Sequence, residues 1–231
     1  MTDVSRRSFL APISGALAAA AAGRRAHGQL IYQRSDWNVE DFQRLTAHAA
    51  RIKQLYDINN IGNGRCLNSV KNSLNGLEFG FGIPAREIQI VGALHGPANL
   101  LNFDDSVWQK YHFGEIFQVT DPETNKPAIR NPFHRSRMRA TTSRDLNDEN
   151  SSLQDMSLEG LHSRGVRFLC CHTATEEQAR LLIQRLKLNQ QPEQIVKDLL
   201  NHVHPGALVV PSMVAAIAVL QSDGRYSYVT I

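Results

Sequence analysis

Residues 87–95, Glu87-Ile-Gln-Ile-Val-Gly-Ala-Leu-His95, decide the fold class of this chain. Most positions in this stretch are apolar without a strict alternation with polar residues, and the turn His95-Gly96-Pro97 ends it. A short, bounded apolar run is typical of a β-strand that is buried on both faces. Because such strands belong to parallel sheets covered by helices, the stretch predicts an α/β fold.

Four further stretches predict strands, and helical patterns separate them. Besides 87–95, the predicted strands are residues 52–58, 166–171, 207–210 and 226–229. The predicted helices are residues 37–50, 67–81, 104–111, 153–162, 175–188, 192–202 and 211–220, the last with Pro211 in its first turn. This alternation predicts three layers, with helices on both faces of a mainly parallel five-stranded sheet. The pattern has no internal repeat, so residues 29–231 are predicted to form a single domain.

The composition is that of a globular protein, because the 231 residues are 42% hydrophobic and 20% charged. Of the 25 lysines and arginines, four lie in residues 1–28, and of the 22 acidic residues, one does. Residues 29–231 therefore have no net charge with histidine neutral. Because binding to phosphates needs a cationic surplus, we expect no nucleic acid partner.

The first 28 residues have the pattern of an export signal. Ser5-Arg6-Arg7-Ser8-Phe9-Leu10 is followed by an uncharged run from Ala11 to Gly23. Ser5, Arg6, Arg7, Phe9 and Leu10 resemble the twin-arginine signal position by position. The apolar run is shorter than the roughly 20 residues that span a bilayer, and no later stretch reaches that length. We predict export to the periplasm by the twin-arginine machinery and no membrane span in the mature chain.

Residues 112–150 have no helical or strand periodicity and contain three prolines and five arginines. Residues 145–163 contain acidic side chains and no lysine or arginine, so the two stretches could pair with each other. Long irregular segments are usually functional or disordered. We expect residues 112–150 to cover a sheet edge or a subunit contact and to contribute little to the core.

Cysteines and a histidine mark the predicted carboxyl ends of the strands, where ligands bind in open α/β sheets. Cys171 ends the predicted strand 166–171, and backbone N–H groups at the start of the next helix could favour its thiolate. A buried, inert thiol is the alternative for Cys171 and the expected state of Cys170. His95 could act as a base or hydrogen-bond donor beside a thiol, or it could have only a structural role in its turn. Cys66 likewise has either a functional or a structural role. If the strands bearing Cys66 and Cys171 were neighbours, the two thiols could pair reversibly.

Cofactor motifs do not stand out in the sequence. The pair Gly62-Asn-Gly64 is too short for a dinucleotide fingerprint and lacks the Lys-Ser/Thr of a P-loop. His202 and His204 are of metal-ligating type, but no third ligand lies near them in the sequence. We therefore expect neither a resident cofactor nor a metal.

Three stretches resemble the DsrE/DsrF-like family, which has the YchN-type fold. Gly165-Val-Arg-Phe-Leu-Cys-Cys171 places a cysteine six residues after a glycine, and Val91-Gly-Ala-Leu-His-Gly-Pro-Ala98 is similar to the family strand that ends in His-Gly. Residues 205–221 are similar to its Pro-Gly, Val-Val-Pro and Leu-Gln ending. The resemblance covers most of residues 50–231, and it implies a five-stranded parallel sheet and a homo-oligomer.

The resemblance also implies a function, because the best-understood family members carry a persulfide on the equivalent of Cys171. Our first hypothesis is an exported thiol protein that binds or transfers sulfane sulfur on Cys171, with a sulfur donor or acceptor as its partner. The second is a non-catalytic binding module that uses the same sheet edge for a small ligand or a protein. A flavodoxin-like nucleotide binder is the third, and the poor phosphate loop disfavours it.

The export signal generates the first testable prediction. Replacing Arg6 and Arg7 by Lys should leave the precursor in the cytoplasm, because the export receptor reads the paired guanidinium groups rather than charge alone. Fractionation and immunoblotting of the double variant would measure this, with Arg24→Lys and Arg25→Lys as the matched control that keeps delivery. Undiminished periplasmic delivery of the Arg6→Lys, Arg7→Lys chain would contradict the twin-arginine assignment.

Overall fold

A computed structural model describes residues 28–136 and 143–231 of the chain. The predicted signal residues Ser5, Arg6, Arg7, Phe9 and Leu10 lie outside the described residues. In the described ranges, no helix has both the length and the apolar character that a membrane crossing requires.

Five parallel strands form one sheet, as the sequence predicted. The strands are β1 (Ile52–Ile58), β2 (Ile88–Leu94), β3 (Arg167–Cys171), β4 (Ala207–Val210) and β5 (Ser227–Thr230). Their spatial order is β4-β3-β2-β1-β5, and every neighbouring pair is parallel. The strand predicted at 87–95 is therefore the central one, and all seven residues of β2 are buried.

Helices cover both faces of the sheet. They are α1 (Val39–Thr46), α2 (Arg65–Asn75), α3 (Asp105–Lys110), α4 (Phe113–Ile116), α5 (Leu158–Ser163), α6 (His172–Leu186), α7 (Pro192–Leu200) and α8 (Met213–Ser222). The apolar residues of α1 and α8 pack on one face, which we call the α8 face, and those of α2, α3, α5 and α7 pack on the other, the α2 face. Short helical turns at Arg34–Asp36, Gly62–Gly64, Ala85–Glu87 and Gly96–Asn102, and a wider turn at Gly76–Gly80, complete the helical structure.

The topology follows from the handedness of parallel connections. The chain steps from β1 to β4 in one direction along the sheet, and its connecting helices lie on the α2 face. It then returns past β1 to β5, which is a step in the opposite direction. Because such crossovers are right-handed, the reversal places α8 on the opposite face.

A glycine in β2 allows β3 to pack closely against it. Gly92 pairs with Phe168, and a Cβ atom on Gly92 would lie 2.7 Å from Cδ1 of the Phe168 ring. Glycine inside a strand commonly marks such a close approach. The aromatic ring of β3 thus fills the space that a side chain of the central strand would otherwise occupy.

Several predicted helix boundaries differ from the structure. The helix predicted at 211–220 begins at Met213, so Pro211 lies before Ser212, the N-cap, and not in the first turn. The helix predicted from 175 begins at His172, because Cys171 already acts as its N-cap. The helix predicted at 153–162 is shorter and begins at Leu158, where Ser157 caps it by accepting from the Gly160 N–H.

Residues 112–150 contribute to the core, which corrects the expectation drawn from the sequence. Phe113 is fully buried and contacts the ring of Trp108, and Phe133 packs in the same cluster. Asn131 is buried, and its Nδ2 donates to the carbonyl oxygens of Leu101 at 2.8 Å and Phe103 at 3.1 Å. Few, isolated contacts anchor this segment, and such contacts produce no periodic pattern in the sequence.

Two arginines of this segment, Arg130 and Arg144, form ion pairs in the described part of the chain, and neither pairs with residues 145–163. Arg130 lies 3.8 Å from a Glu123 oxygen, and Arg144 lies 3.5 Å from a Glu78 oxygen. These arginine side chains are more than half exposed, and ion pairs of this kind contribute little stability. The buried amide of Asn131 and the rings of Phe113 and Phe133, rather than the charges, attach the segment to the domain.

Asn131→Ala tests this attachment. The substitution leaves two buried carbonyl groups without their donor, so it should lower the free energy of unfolding by about 1–3 kcal/mol. Asn147→Ala, at an exposed position in the same segment, is the matched control and should change it by less than about 0.5 kcal/mol. Urea titration followed by circular dichroism gives both values, and equal stability of the two variants would show that the segment is not held through Asn131.

Candidate functional site

The carboxyl edge of the sheet brings together side chains from three neighbouring strands. Asp57 of β1 pairs with Ala93 of β2, and Leu94 of β2 pairs with Cys170 of β3. Because side chains alternate along extended chain, Asp57, His95 and Cys171 all lie on the α8 face. The parallel register therefore places the predicted thiol and the predicted histidine on adjacent strands and on the same face.

The sulfur of Cys171 lies at the N-termini of two helices. Cys171 is the N-cap of α6, and its Sγ accepts from the Ala174 N–H at 3.4 Å. The backbone N–H groups of Met213, the first residue of α8, and of Thr173 also act on the sulfur. Such N–H groups and the positive ends of both helix dipoles stabilise negative charge on the sulfur.

Burial opposes these N–H groups. Cys171 is only 4% exposed, and removal from water raises the pKa of its thiol above the usual value. The N–H groups of Ala174, Met213 and Thr173 lower this pKa, and the exposed carboxylate of Glu177 raises it slightly. The sequence correctly predicted the N–H groups, but burial outweighs them, so the resting side chain is a thiol at neutral pH.

A buried amide network fixes the backbone at Cys171. Asn99 Oδ1 accepts from the Cys171 N–H at 2.8 Å, and its Nδ2 donates to Thr175 Oγ1 and Gln178 Oε1, each at 3.0 Å. Thr175 Oγ1 in turn donates to the Cys171 carbonyl oxygen at 2.9 Å. Because Asn99 is fully buried, these bonds hold the end of β3 and the first turn of α6 in one arrangement.

His95 is part of a hydrogen-bonded group that the sequence analysis missed in part. Its Nε2 lies 2.5 Å from Asp57 Oδ1, and the hydroxyl of Tyr228 donates to Asp57 Oδ2. His95 and Asp57 are half-buried, whereas Tyr228 of β5 is exposed. The carboxylate orients the imidazole through this hydrogen bond. Asp57 is the only acidic residue of β1, which was the available signal for it, but only the tertiary structure shows its partner.

The N-terminal part of the described chain covers the start of α6. The ring of Tyr32 stacks on His172 with 4.3 Å between ring centroids. Leu30 N donates to Glu176 Oε2 at 2.9 Å, and Gln29 Nε2 donates to Thr173 Oγ1 at 3.3 Å. Glu176 is paired with Arg180 and bound to this segment. The segment therefore lies across the helix that Cys171 caps.

Cys66 and Cys171 do not lie close enough to pair, because the strands that bear them are not neighbours in the sheet. Cys66 follows β1 and Cys171 ends β3, with β2 between them. The two sulfurs also belong to opposite sides of the sheet, since Cys66 packs in the α2-face core and Cys171 in the α8-face core. Burial raises the pKa of the Cys66 thiol to about 11, and its S–H donates to the Ile61 carbonyl oxygen.

Cys170 is a core residue, in agreement with the interpretation of the sequence. It is fully buried on the α2 face, and burial raises the pKa of its thiol strongly. Its sulfur lies 3.9 Å from Thr175 Oγ1. Successive strand residues face opposite sides, so the adjacent cysteines 170 and 171 have different surroundings.

Comparison with known proteins does not assign a family. The sequence matches no protein-family model and no curated protein sequence. The likeness of its three motifs to the DsrE/DsrF-like family therefore stays a prediction.

The two adjacent cysteines give a paired test of the site. Cys170→Ser places a hydroxyl in an apolar core beside Thr175, whose oxygen already bonds Asn99 and Cys171, and should cost about 1–3 kcal/mol of unfolding free energy. Cys171→Ser keeps an oxygen at the N-cap, a favoured residue there, and should cost less than about 1 kcal/mol. Urea midpoints of the two variants measure the difference. A larger loss for Cys171→Ser would contradict the assignment of Cys170 as the structural thiol.

Proposed function

We propose that this chain is an exported thiol protein that accepts and transfers sulfane sulfur as a persulfide on Cys171. The observation that carries the proposal is the position of the Cys171 sulfur at the N-termini of α6 and α8, on the same face of the sheet as the Asp57–His95 pair. Sulfur transfer needs a nucleophilic sulfur and a group that stabilises the anionic product. The motif likeness to the DsrE/DsrF-like family supports the same role.

The chemistry is an exchange between sulfur atoms without net oxidation. The thiolate of Cys171 attacks the outer sulfur of a persulfide donor, a new S–S bond forms at Sγ, and the S–S bond of the donor breaks. The donor leaves with the bonding electron pair as a thiolate and takes up a proton. The persulfide of Cys171 is a stronger acid than its thiol, so its anion gains more from the surrounding N–H groups at neutral pH.

His95 supplies the proton transfer in this proposal. Asp57 holds the imidazole by its Nε2. His95 directly follows β2, and β2 pairs with β3, which ends at Cys171. In this arrangement the imidazole takes the thiol proton and returns it to the departing donor. Because Tyr228 donates to the same carboxylate from β5, the exposed sheet edge contributes to the orientation of the histidine.

The burial of Cys171 favours a second candidate, a non-catalytic binding module. All three cysteines are less than 5% exposed, and the segment around Leu30 lies across the start of α6. A binding module would use the edge around Asp57, His95 and Tyr228 for a small ligand or a protein and keep Cys171 as a structural N-cap. The two candidates differ in whether Cys171 ever reacts.

We also propose export to the periplasm and assembly into a homo-oligomer. Residues 5–10 support the first through their match to the twin-arginine signal, and the family likeness supports the second. Export of a folded chain fits a protein whose thiols are all buried, because exposed thiols would be oxidised in the periplasm.

Sulfur loading separates the two candidates. The exported protein is treated with glutathione persulfide, and intact-mass spectrometry should show the gain of one sulfur atom in the wild type and in Cys66→Ser, but not in Cys171→Ser. His95→Gln should slow loading about 10-fold or more, the size typical for a lost proton-transfer group. Loading that survives Cys171→Ser would contradict the sulfur-carrier role, and a chain that is never loaded would favour the binding module.

Alkylation as a function of pH tests the state of the thiol. Because burial raises the pKa of Cys171, its alkylation by iodoacetamide should be slower than that of a free cysteine at neutral pH and should accelerate as the pH rises. Cys171 should still react before the other two thiols, because three backbone N–H groups lower its pKa, whereas burial raises the pKa of Cys66 to about 11 and that of Cys170 strongly. Peptide mass mapping identifies the labelled residue, and earlier labelling of Cys66 or Cys170 would contradict this order.

A further inference from the structure

Cys171 is 4% exposed, so a reagent reaches its sulfur only when part of the surrounding structure moves. The sulfur lies between the first turn of α6 and the first residue of α8. The hydroxyl of Thr173 donates to the Pro211 carbonyl oxygen at 3.1 Å and so connects the starts of the two helices. Access to the sulfur therefore depends on what covers this junction of α6 and α8.

Residues 28–32, which we call the N-terminal strap, lie against this junction. The side-chain amide of Gln29 donates from Nε2 to Thr173 Oγ1 at 3.3 Å, the same oxygen that bonds the start of α8. The ring of Tyr32 stacks on that of His172, with 4.3 Å between the ring centroids and 7° between the ring planes. Because His172 and Thr173 are the first two residues of α6, the strap meets this helix at the end that the sulfur caps.

A buried carboxylate holds the middle of the strap. Glu176 is 4% exposed, and its Oε2 accepts from the Leu30 N–H at 2.9 Å. Its Oε1 accepts from Arg180 Nε at 3.0 Å, and Arg180 Nη2 also donates to the Gly28 carbonyl oxygen at 3.1 Å. Hydrogen bonds with a charged partner are stronger than neutral ones, so these bonds keep the resting strap on α6.

The strap is packed more loosely than the other elements around the sulfur. Leu30 and Tyr32 are half-buried, the other residues of the strap are exposed, and residues 28–32 belong to no helix or strand. By contrast, α8 and the sheet meet in a buried apolar cluster, and Asn99 fixes the Cys171 N–H at the start of α6. Segments with few buried apolar contacts open at a low free energy, whereas packed elements open only near global unfolding. Of these elements, the strap is therefore the one that can move without unfolding the domain.

We propose that the N-terminal strap is a gate for Cys171: on α6 it closes the sulfur to reagents, and its release opens the junction of α6 and α8 to a sulfur donor. The identity of the reactant rests on the proposed sulfur-carrier function, and the gate rests on the contacts of the strap. Release exchanges the hydrogen bonds of Gln29 and Leu30 for hydrogen bonds to water and leaves the sheet intact. The closed gate protects the thiol from the oxidising periplasm between encounters with the donor.

Alkylation of the exported protein at one fixed pH measures the gate. When opening and closing are fast, the rate of labelling by iodoacetamide is proportional to the open fraction. Tyr32→Ala removes the ring that stacks on His172 and should raise the labelling rate of Cys171 about 3- to 10-fold, the range for one lost aromatic pair. Tyr32→Phe keeps the ring and removes only the hydroxyl, so it is the matched control and should be labelled at the wild-type rate.

A double variant and a second thiol complete this test. Leu30→Ala combined with Tyr32→Ala removes both half-buried side chains of the strap and should raise the rate at Cys171 at least about 10-fold. Cys66 is buried on the opposite face of the sheet, so its rate reports global unfolding and should stay at the wild-type value. An equal rise at Cys66, a rise at Cys170 instead of Cys171, or an unchanged rate at Cys171 in both variants would overturn the gate.

Sulfur loading separates the gate from the sulfur-carrier function. With glutathione persulfide, intact-mass spectrometry should show that Tyr32→Ala gains one sulfur atom faster than the wild type, by the same factor as for alkylation, and that Tyr32→Phe does not. Because iodoacetamide needs only access to the thiol, faster alkylation of Tyr32→Ala without any loading would support the gate and contradict the sulfur-carrier role. Loading of Tyr32→Ala at the wild-type rate would show that the donor does not pass the strap and would overturn the gate.

Discussion

The central strand β2 has no residue open to water, and the rest of the domain follows from that constraint. Parallel partners satisfy its backbone on both sides, β1 on one and β3 on the other. Its side chains need an apolar layer on each face, so α2 and its neighbours cover one and α8 covers the other. Because the connections are right-handed, covering both faces requires a reversal of direction along the sheet, and the chain makes it between β4 and β5.

The same arrangement determines which chemical groups meet. The register of β1, β2 and β3 brings Asp57, His95 and Cys171 to one face of the carboxyl edge. The return of α8 to that face brings the Met213 N–H to the Cys171 sulfur, where α6 already begins. Buried Asn99 then ties the end of β3 to the first turn of α6, so the N–H groups are held in place before any charge develops on the sulfur. Preorganised donors of this kind are effective because they need no rearrangement.

The two sides of the sheet differ in the groups that they enclose. On the α8 face, N–H groups surround a sulfur, an arrangement suited to negative charge. On the α2 face, a largely apolar cavity of about 250 Å³ is lined by residues that include Leu158, Phe168 and His204. Asn102, which lines that cavity, bonds Asn99, whose Oδ1 receives the Cys171 N–H, so one buried amide pair lies between the cavity and Cys171.

The sequence alone predicted the fold class, the five strands and the positions of Cys171 and His95 at strand ends, because period and burial are local properties of neighbouring residues. It did not determine the place of residues 112–150, whose core contacts come from scattered single residues such as Asn131 and Phe133. The sequence also left open whether Cys66 and Cys171 lie close together, because the residues of a strand do not determine which strands are its neighbours. Only the tertiary structure placed Asp57 and Tyr228 beside His95, and His162 and His204 in one cavity, because each pairing joins segments far apart along the chain.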